Sequence, residues 1–260
     1  QELNQKLEVT FNTSILKRSL QFSVNGNVLQ NNITTNSIVV PDTLNGIRQE
    51  IHYLNARSAY SAGGNFMLVN LLNDTKNNLT YIASAGYSNN VYFSDNIKGL
   101  NKSFNFSQSL GLTSNLNRLL MINYVRYTST NNSYSIGNEN VRKISTWEFN
   151  SMLNFRINNS YNFASSLNKK INNGYNFDQQ NPFIVSSSIS RFVYKKLGAI
   201  TLGVEDLLNQ GNNQQRLVSA NRVTDIRNNQ VTRYFYLKLR FTLDKFSNGS
   251  VNAPVQYIIQ

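Results

Sequence analysis

Large apolar and polar side chains alternate along most of the chain with a period of two residues, which is the signature of β-strands. The clearest case lies near the C-terminal end, where the odd positions carry Phe235, Leu237, Leu239, Phe241 and Leu243. The even positions between them carry Lys238, Arg240 and Thr242. A strand with this pattern separates an apolar environment from an aqueous one, because successive side chains point to opposite faces.

Eleven segments carry the pattern, and most are as long as the roughly 9–11 residues that a tilted strand needs to cross a bilayer. Strands of soluble sheets are usually shorter, at ~5–6 residues. Two segments are less regular: around 119–128 the apolar residues occupy both odd and even positions, and in 183–194 the polar residues do so too. The predicted strands are 5–15, 18–31, 63–73, 78–90, 101–114, 117–130, 142–157, 159–172, 182–195, 198–208 and 231–244.

The connections between these segments alternate strictly between short and long. The long ones are 32–62, 91–100, 131–141, 173–181 and 209–230, and they are polar and rich in Asn. Outer-membrane barrels have this layout, with tight periplasmic turns and longer extracellular loops. The sequence therefore predicts an all-β fold, an antiparallel transmembrane up-and-down β-barrel of the outer-membrane type, with about 11–12 strands in this chain.

An odd strand count is unusual, because bacterial single-chain barrels have an even number. Either a further strand lies within 32–62, where Ile47, Gln49, Ile51 and Tyr53 alternate, or strands precede Gln1. A single extra strand would disturb the rhythm of the connections, so we favour the second alternative. Residues 1–246 are then the C-terminal portion of a larger barrel, followed by a tail over 247–260.

Composition agrees with a chain that faces lipid on one side and water on the other. Charged residues make up only 15% of the 260 residues, aromatic residues make up 12%, and there is no Cys. The net charge of +12 comes from cations scattered singly or in pairs, without a basic run, so nucleic-acid binding is not expected. No segment approaches the ~18 consecutive apolar residues of a transmembrane helix.

Two motifs in the C-terminal third resemble a known family. The segment "LGVEDLLNQ" (202–210) is similar to the penultimate strand, and "TRYFYLKLRFTLDKF" (232–246) to the last strand, of Bacteroidota outer-membrane barrels of TonB-dependent-receptor-like proteins. The resemblance implies a multi-pass protein of a Gram-negative outer membrane whose polar lumen takes up solutes. It also implies a plug domain, the TonB system or a surface lipoprotein as partners. No plug-like sequence or TonB box lies before Leu7.

An alternative function is that of a structural or interaction barrel in a secretion or assembly complex, which binds a partner and transports nothing. The Asp206–Asn209 motif is expected to close the top of a strand. In the last long connection, Arg216, Arg222 and Arg227 suit either an anionic solute or plain solvation.

No catalytic, cofactor or metal site is predicted, so the chain is not expected to be an enzyme. His52 is the only histidine and is expected to be a solvated loop residue near Glu50. The segment Ser61–Asn65 lacks the Lys of a phosphate loop, and no Asp-rich run suits calcium. Four acids lie in predicted turns or loops, where Asp stabilises local backbone: Asp74, Asp95, Asp178 and Asp225.

Aromatic residues cluster near the predicted strand ends. Amphipathic rings favour the headgroup level of a membrane, so we interpret these residues as interfacial girdles rather than as ordinary cross-strand packing. The proposed girdle residues are Tyr87, Tyr92, Phe93, Tyr127, Trp147, Tyr161, Phe183 and Tyr234.

Overall fold

The computed structural model describes most of the chain from Leu3 to Phe241, and the part that it describes contains strands and turns but no helix. The described residues are 3–30, 32–42, 46–56, 59–72, 76–94, 96–136, 142–174, 181–193, 197–211, 214–218, 223–227 and 231–241. The predicted tail 247–260 lies outside them.

Fifteen strands are described. They are β1 (Leu3–Ile15), β2 (Arg18–Gln30), β3 (Asn32–Asp42), β4 (Gly46–Ala56), β5 (Ala59–Leu72), β6 (Asn77–Ser94), β7 (Ile97–Leu116), β8 (Leu119–Tyr134), β9 (Arg142–Arg156), β10 (Tyr161–Asn173), β11 (Phe183–Val193), β12 (Gly198–Glu205), β13 (Gln214–Val218), β14 (Val223–Arg227) and β15 (Tyr234–Phe241).

Eleven of these strands form one antiparallel sheet in the order β1-β2-β5-β6-β7-β8-β9-β10-β11-β12-β15. Each of these eleven strands pairs with the next one in the list. The hairpins β3–β4 and β13–β14 are not part of this order. All eleven correspond to the strands predicted from the alternation pattern, with their ends moved by a few residues. The prediction of an all-β antiparallel fold is therefore confirmed.

The structure corrects three predictions. The sheet is not closed into a barrel, because β1 and β15 are each paired on only one side within the described strands. The connection 32–62 holds two strands, β3 and β4, so the prediction of a long loop there was wrong. The predicted loop 91–100 is wrong as well, since β6 runs to Ser94 and β7 starts at Ile97.

Two further long connections, 131–141 and 209–230, also contain more strand structure than expected. Strand β8 continues to Tyr134, and the connection 209–230 contains a separate hairpin of β13 and β14. Polar composition led us to read these segments as loops. A hydrogen-bonded hairpin satisfies its own backbone groups and so forms without an apolar face.

Within the part of the chain that the structure describes, no second layer covers either face of the sheet. The buried apolar residues of the described chain are few and mostly small, namely Ala56, Ala59, Val91, Tyr134 and Ala199. The accessible surface of the chain is 18319 Å². A compact monomer of 29.6 kDa exposes roughly 11,600 Å² by the usual scaling of surface with mass. Stability in this fold comes from strand pairing rather than from an enclosed core.

Candidate membrane-facing surface

The register of the strands places the large apolar side chains on one face, which we call the apolar face. Neighbouring pairs across the strands include Val9–Val24, Phe22–Phe66, Leu79–Leu112, Val125–Phe149, Phe155–Phe163, Phe163–Ile189 and Leu202–Leu237. Many of these side chains are exposed, with Leu202 at 59% and Phe235 at 75%. A predominantly apolar surface across eleven strands, interrupted by residues such as Asn123 and Lys169, greatly exceeds the few hundred Å² of ordinary patches on soluble monomers.

Aromatic rings form a row across the apolar face near the end of the sheet that carries the long connections. The ring centroids of Tyr60 and Tyr87 are 6.0 Å apart, and those of Phe106 and Tyr127 are 6.4 Å apart. Trp147 lies 4.8 Å from Tyr127. We call this set the aromatic row. Its members come from five consecutive strands of the sheet, β5 to β9.

The opposite end of the apolar face carries an aromatic residue beside a cation. The Arg191 guanidinium lies 5.9 Å from the centre of the Tyr161 ring, and the two residues are cross-strand neighbours on β10 and β11. Both lie next to the short turns. An arginine held over a ring at the edge of an apolar surface can keep its charge in water while its stem covers apolar area.

The girdle residues predicted from the sequence fall on both faces. Tyr87, Tyr127, Trp147, Tyr161 and Phe183 share the apolar face by strand parity. Tyr92 belongs to the opposite face of the sheet, and its hydroxyl donates to the carbonyl of Ile136 at 2.8 Å. Tyr234 also belongs to that opposite face, and its ring centroid lies 6.1 Å from that of Tyr236. Strand-end position alone did not reveal which face a ring occupies.

The opposite face, which we call the polar face, carries mostly Asn, Ser and Thr. Hydrogen bonds join side chains of adjacent strands across it, because cross-strand neighbours lie within reach of each other. The bonds on this face include Thr130 Oγ1 to Asn105 Oδ1 at 2.8 Å, Thr146 Oγ1 to Asn172 Oδ1 at 2.8 Å and Ser190 Oγ to Thr201 Oγ1 at 2.8 Å.

A charged group lies in the middle of the polar face. Asn168 donates to Glu148 Oε1 at 2.8 Å, and Arg126 Nη1 lies 3.9 Å from the other oxygen of the same carboxylate. The Arg126 guanidinium also lies 5.2 Å from the centre of the Tyr124 ring. Sequence reasoning missed this group. Arg126 and Glu148 both occupy polar-face positions of adjacent predicted strands, and this was the signal that would have revealed the pair.

The hairpin of β3 and β4, which we call the arm, extends beyond the sheet at the end with the long connections. It is held to the tip of β6 by short parallel pairing at Asn36 and Phe93. Asn36 is 1% exposed, donates to Asn96 Oδ1 at 2.8 Å and accepts from the Asn96 backbone N–H at 3.3 Å. Asn96 has a φ of 65°, a conformation that Asn tolerates.

Replacement of Asn36 by alanine should release the arm from β6. The change removes both hydrogen bonds between Asn36 and Asn96, and at about 0.5–1.5 kcal/mol each their loss costs roughly 1–3 kcal/mol. Backbone amides of 32–42 should then exchange with solvent roughly 5- to 150-fold faster in hydrogen-exchange measurements. The exposed Asn90→Ala on β6 serves as control. Equal exchange in both variants would contradict the anchoring role of Asn36.

The Asp206–Asn209 motif lies directly after β12 and folds on itself, as the sequence predicted. Asp206 is 4% exposed and has a φ of 46°. Its two carboxylate oxygens accept from the backbone N–H groups of Gln210 at 3.0 Å and Gly211 at 2.6 Å. Thr232 Oγ1 donates to Asn209 Oδ1 at 2.8 Å, which ties the start of the last long connection to its end. We call the motif the lock, because these hydrogen bonds fix the backbone that follows β12.

The remaining candidate residues that the structure describes do not come together as a site. His52 lies on β4 rather than in a loop, is exposed, and has Nε2 3.2 Å from Glu50 Oε2. Ser61–Asn65 is an ordinary part of β5. Asp74, Asp95, Asp178 and Arg222 lie outside the described residues, as do the side chains of Arg216, Asp225 and Arg227.

Among the residues that the structure describes, no group of three or more His, Cys, Asp or Glu side chains is arranged to hold a metal ion. The same residues include no helix with the length and apolar character needed to cross a membrane. Comparison with protein-family models, curated proteins and solved structures gave no significant match.

Proposed function

We propose that this sheet forms part of the wall of a transmembrane β-barrel in a Gram-negative outer membrane. The observation that carries the proposal is the exposed apolar face, which extends over eleven strands while the other face is polar. Antiparallel sheets of soluble proteins cover the apolar face with a second layer. A lipid bilayer provides that cover without any further protein, and it accepts sheets whose backbone groups are all paired.

The height of the apolar face supports this proposal. Tyr161 and Ile171 mark its two ends on β10, and the ten residue-to-residue steps from one to the other span ~33 Å at ~3.3 Å per residue. At a strand tilt of about 40°, that length covers ~25 Å along the membrane normal. Apolar bands of outer-membrane barrels are about 25 Å tall and are flanked by aromatic girdles. Here the aromatic row lies at one end of the apolar face and Tyr161 lies at the other.

Closure of the barrel requires partners for the edges of β1 and β15. These two strands are the first and the eleventh of an antiparallel series, so they run in the same direction. Antiparallel closure therefore needs an odd number of additional strands between them. This requirement agrees with the even strand numbers of bacterial barrels, and it supports a barrel larger than the sheet described here.

For the activity we propose solute uptake through a TonB-dependent-receptor-like barrel, with no enzymatic role. Support comes from the terminal-strand motifs and from the polar face, whose Asn, Ser and Thr side chains would line a hydrated lumen. Arg126 and Glu148 would contribute fixed charges to that lumen. A plug domain, the TonB system or a surface lipoprotein would be the partners of such a transporter.

The sole tryptophan provides a direct test of the membrane proposal. Trp147 lies on the apolar face at the aromatic row, so its fluorescence should be quenched by brominated lipids in reconstituted vesicles. Bromine near the headgroups should quench more strongly than bromine near the bilayer centre. As control, the double variant Trp147→Phe/Tyr124→Trp moves the reporter to the polar face, where we expect little quenching. Equal quenching at the two sites would contradict the proposed assignment of the faces.

A second candidate function is an interaction barrel in an envelope complex, and the arm is the observation that favours it. The arm carries exposed Ile33, Ile51 and Tyr53, and Tyr53 is 75% exposed. These three residues share one face of the hairpin by register. Apolar side chains on a projecting hairpin suit a protein partner.

Permeability measurements separate the two functions. Vesicles that contain the wild-type protein should swell in iso-osmotic sugar if the lumen conducts solutes. The arm variant Ile51→Asn/Tyr53→Asn should swell equally, because these side chains are on the arm, which pairs with the sheet only at the tip of β6. Sealed vesicles under all conditions, together with partner binding that this arm variant loses, would favour the interaction barrel.

A further inference from the structure

Basic residues gather on the polar face at the end of the sheet that carries the short turns. Lys76 extends the pairing of β6 with β7 by one step, and its carbonyl accepts from the N–H of Asn115 at 2.6 Å. Lys238 pairs with Thr201 on the same face, and Arg240 follows two residues later on the same strand. We call this set the end cations, and its members are Lys76, Arg118, Arg156, Lys238 and Arg240.

Two of the end cations lie directly opposite each other. The register of β8 and β9 continues one step past the pair Leu119–Phe155, and the carbonyl of Arg118 accepts from the N–H of Arg156 at 2.7 Å. Cross-strand neighbours have Cβ atoms roughly 5 Å apart, and like charges at that separation destabilise a sheet. An anion between the two guanidinium groups would remove this repulsion, because each group can donate two parallel hydrogen bonds to an oxyanion.

Cations elsewhere on the polar face have a carboxylate beside them. Lys6 Nζ lies 2.7 Å from Glu8 Oε2, and Arg126 Nη1 lies 3.9 Å from Glu148 Oε2. Among the side chains that the structure describes, no such ion pair is formed by an end cation. Two acids that adjoin this end in the sequence lie outside the described residues, namely Asp74 and Asp244. The end cations thus differ from the other cations of the face.

The carboxylates of the strands are too far along the sheet to neutralise the end cations. The eleven strands carry only three carboxylates, and those besides Glu8 are Glu148 and Glu205. Glu148 is eight residues from Arg156 on β9, or ~26 Å at ~3.3 Å per residue. Glu205 is four residues from Thr201 on β12, or ~13 Å. Both separations exceed the Debye length of about 8–10 Å at physiological salt.

Uncharged hydrogen-bond donors lie between the end cations. A cross-strand row of the polar face crosses six strands, and register joins its consecutive members: Arg118, Arg156, Asn162, Ser190, Thr201 and Lys238. Each of these side chains can donate a hydrogen bond, and none of them carries a negative charge. Since oxyanions are acceptors only, a row of donors that ends in cations suits phosphate, sulfate or carboxylate groups.

The polar face is concave beside this row. A cavity of about 250 Å³ is lined from all six strands, from Leu120 on β8 to Tyr236 on β15, and Glu205 also lines it. The cavity begins next to the row, because Leu120 pairs with Asn154, which is two residues before Arg156. Curvature brings cations of distant strands closer together than a flat sheet would. A cleft with one sign of charge raises the local concentration of counter-ions.

We infer that the end cations bind the phosphate, sulfate or carboxylate group of a small solute, and that such anions are the class of solute that the lumen takes up. The inference rests on the proposed function, because it needs the polar face to line the lumen. Arg118 and Arg156 form the centre of the site, and the other end cations add to its positive field. Rings of Arg and Lys side chains select anions in other pores.

Fluorescence quenching by an anion tests the site. The reporter is Asn154→Trp in a Trp147→Phe background, because Asn154 is exposed on the polar face two residues from Arg156. In neutral detergent at low salt, iodide should quench this reporter roughly three-fold more strongly than in the added variant Lys76→Gln/Arg118→Gln/Arg156→Gln. Quenching by uncharged acrylamide should be the same in both proteins. With the end cations present, inorganic phosphate should suppress iodide quenching more than sodium chloride at equal ionic strength.

A matched charge variant separates the site from the net charge of the protein. The control Lys98→Gln/Lys102→Gln/Lys143→Gln removes three exposed cations that register assigns to the apolar face at the long-connection end. Iodide quenching of the reporter should persist in this control. An equal loss in both variants would indicate a net-charge effect and would overturn the site. Phosphate that suppresses quenching no better than chloride would leave only a diffuse positive field, and it would overturn the site as well.

Ion currents distinguish failure of this inference from failure of the proposed function. In planar phosphatidylcholine bilayers under a KCl gradient, the zero-current potential of the wild-type protein should show a preference for chloride. It should move toward zero in Lys76→Gln/Arg118→Gln/Arg156→Gln. A current without this preference would overturn the anionic class of solute and leave solute uptake intact. The absence of any current would overturn solute uptake, and the assignment of its solute with it.

Discussion

Leu110→Arg should destabilise the protein in lipid vesicles by about 2–4 kcal/mol, the cost of an arginine at the middle of a lipid-facing strand. Leu110 is 50% exposed on β7 and lies between Tyr81 and Val125 on the apolar face. The new arginine side chain would bring a charge into hydrocarbon, away from both headgroup regions. Urea unfolding in phosphatidylcholine vesicles, followed by tryptophan fluorescence, measures the change in the free energy of unfolding.

The neighbouring residue on the same strand provides the control for this prediction. Ser109 is on the polar face, so Ser109→Arg should change the free energy of unfolding by less than about 1 kcal/mol. A soluble protein would give a different result, because an exposed leucine can be replaced by arginine at little cost in water. Similar values for both variants would therefore contradict the membrane proposal.

Asp206→Ala should lower the free energy of unfolding on the order of 2–4 kcal/mol, since it leaves two part-buried backbone N–H groups without their acceptors. Those donors are the N–H groups of Gln210 and Gly211. The left-handed φ of Asp206 adds to the cost, because alanine tolerates that conformation less well than aspartate. We also expect faster tryptic cleavage between 207 and 233, where Arg216 and Arg227 provide sites.

Two variants control the interpretation of the Asp206 prediction. Asp206→Asn keeps one acceptor oxygen and should give an intermediate loss of stability. Glu205→Gln changes the neighbouring carboxylate, which lies on the polar face of β12 opposite Tyr234, and should be close to neutral. If Asp206→Ala unfolds at the same urea concentration as wild type, the lock does not contribute to stability.

The alternation pattern was sufficient to predict the eleven strands of the sheet. Each strand is long and has one face in a different environment from the other, so the period of two is strong even without an alignment. Strand ends were less accurate. In β6 and β7 the paired region continues through 91–94 and 97–100, which belong to the predicted loop 91–100. Backbone hydrogen bonding between the two long strands shortened that loop.

The arm illustrates what a residue pattern cannot reveal. Its anchoring depends on Asn36 and Asn96, which are 60 residues apart and have no feature in the sequence that links them. The lock was predictable in part, because the Asp206–Asn209 motif carries turn chemistry. Its long-range partner Thr232 was not predictable, since it is joined to Asn209 only by the return of the chain to the sheet.

Local sequence by itself determined the strands, the difference between their two faces and the turn chemistry at Asp206, because these depend on residues that are neighbours along the chain. Tertiary structure alone decided the rest. It left the sheet open between β1 and β15, placed Arg126 beside Glu148 and sorted the aromatic residues between the faces. These arrangements depend on strand register, which converts distant positions into neighbours.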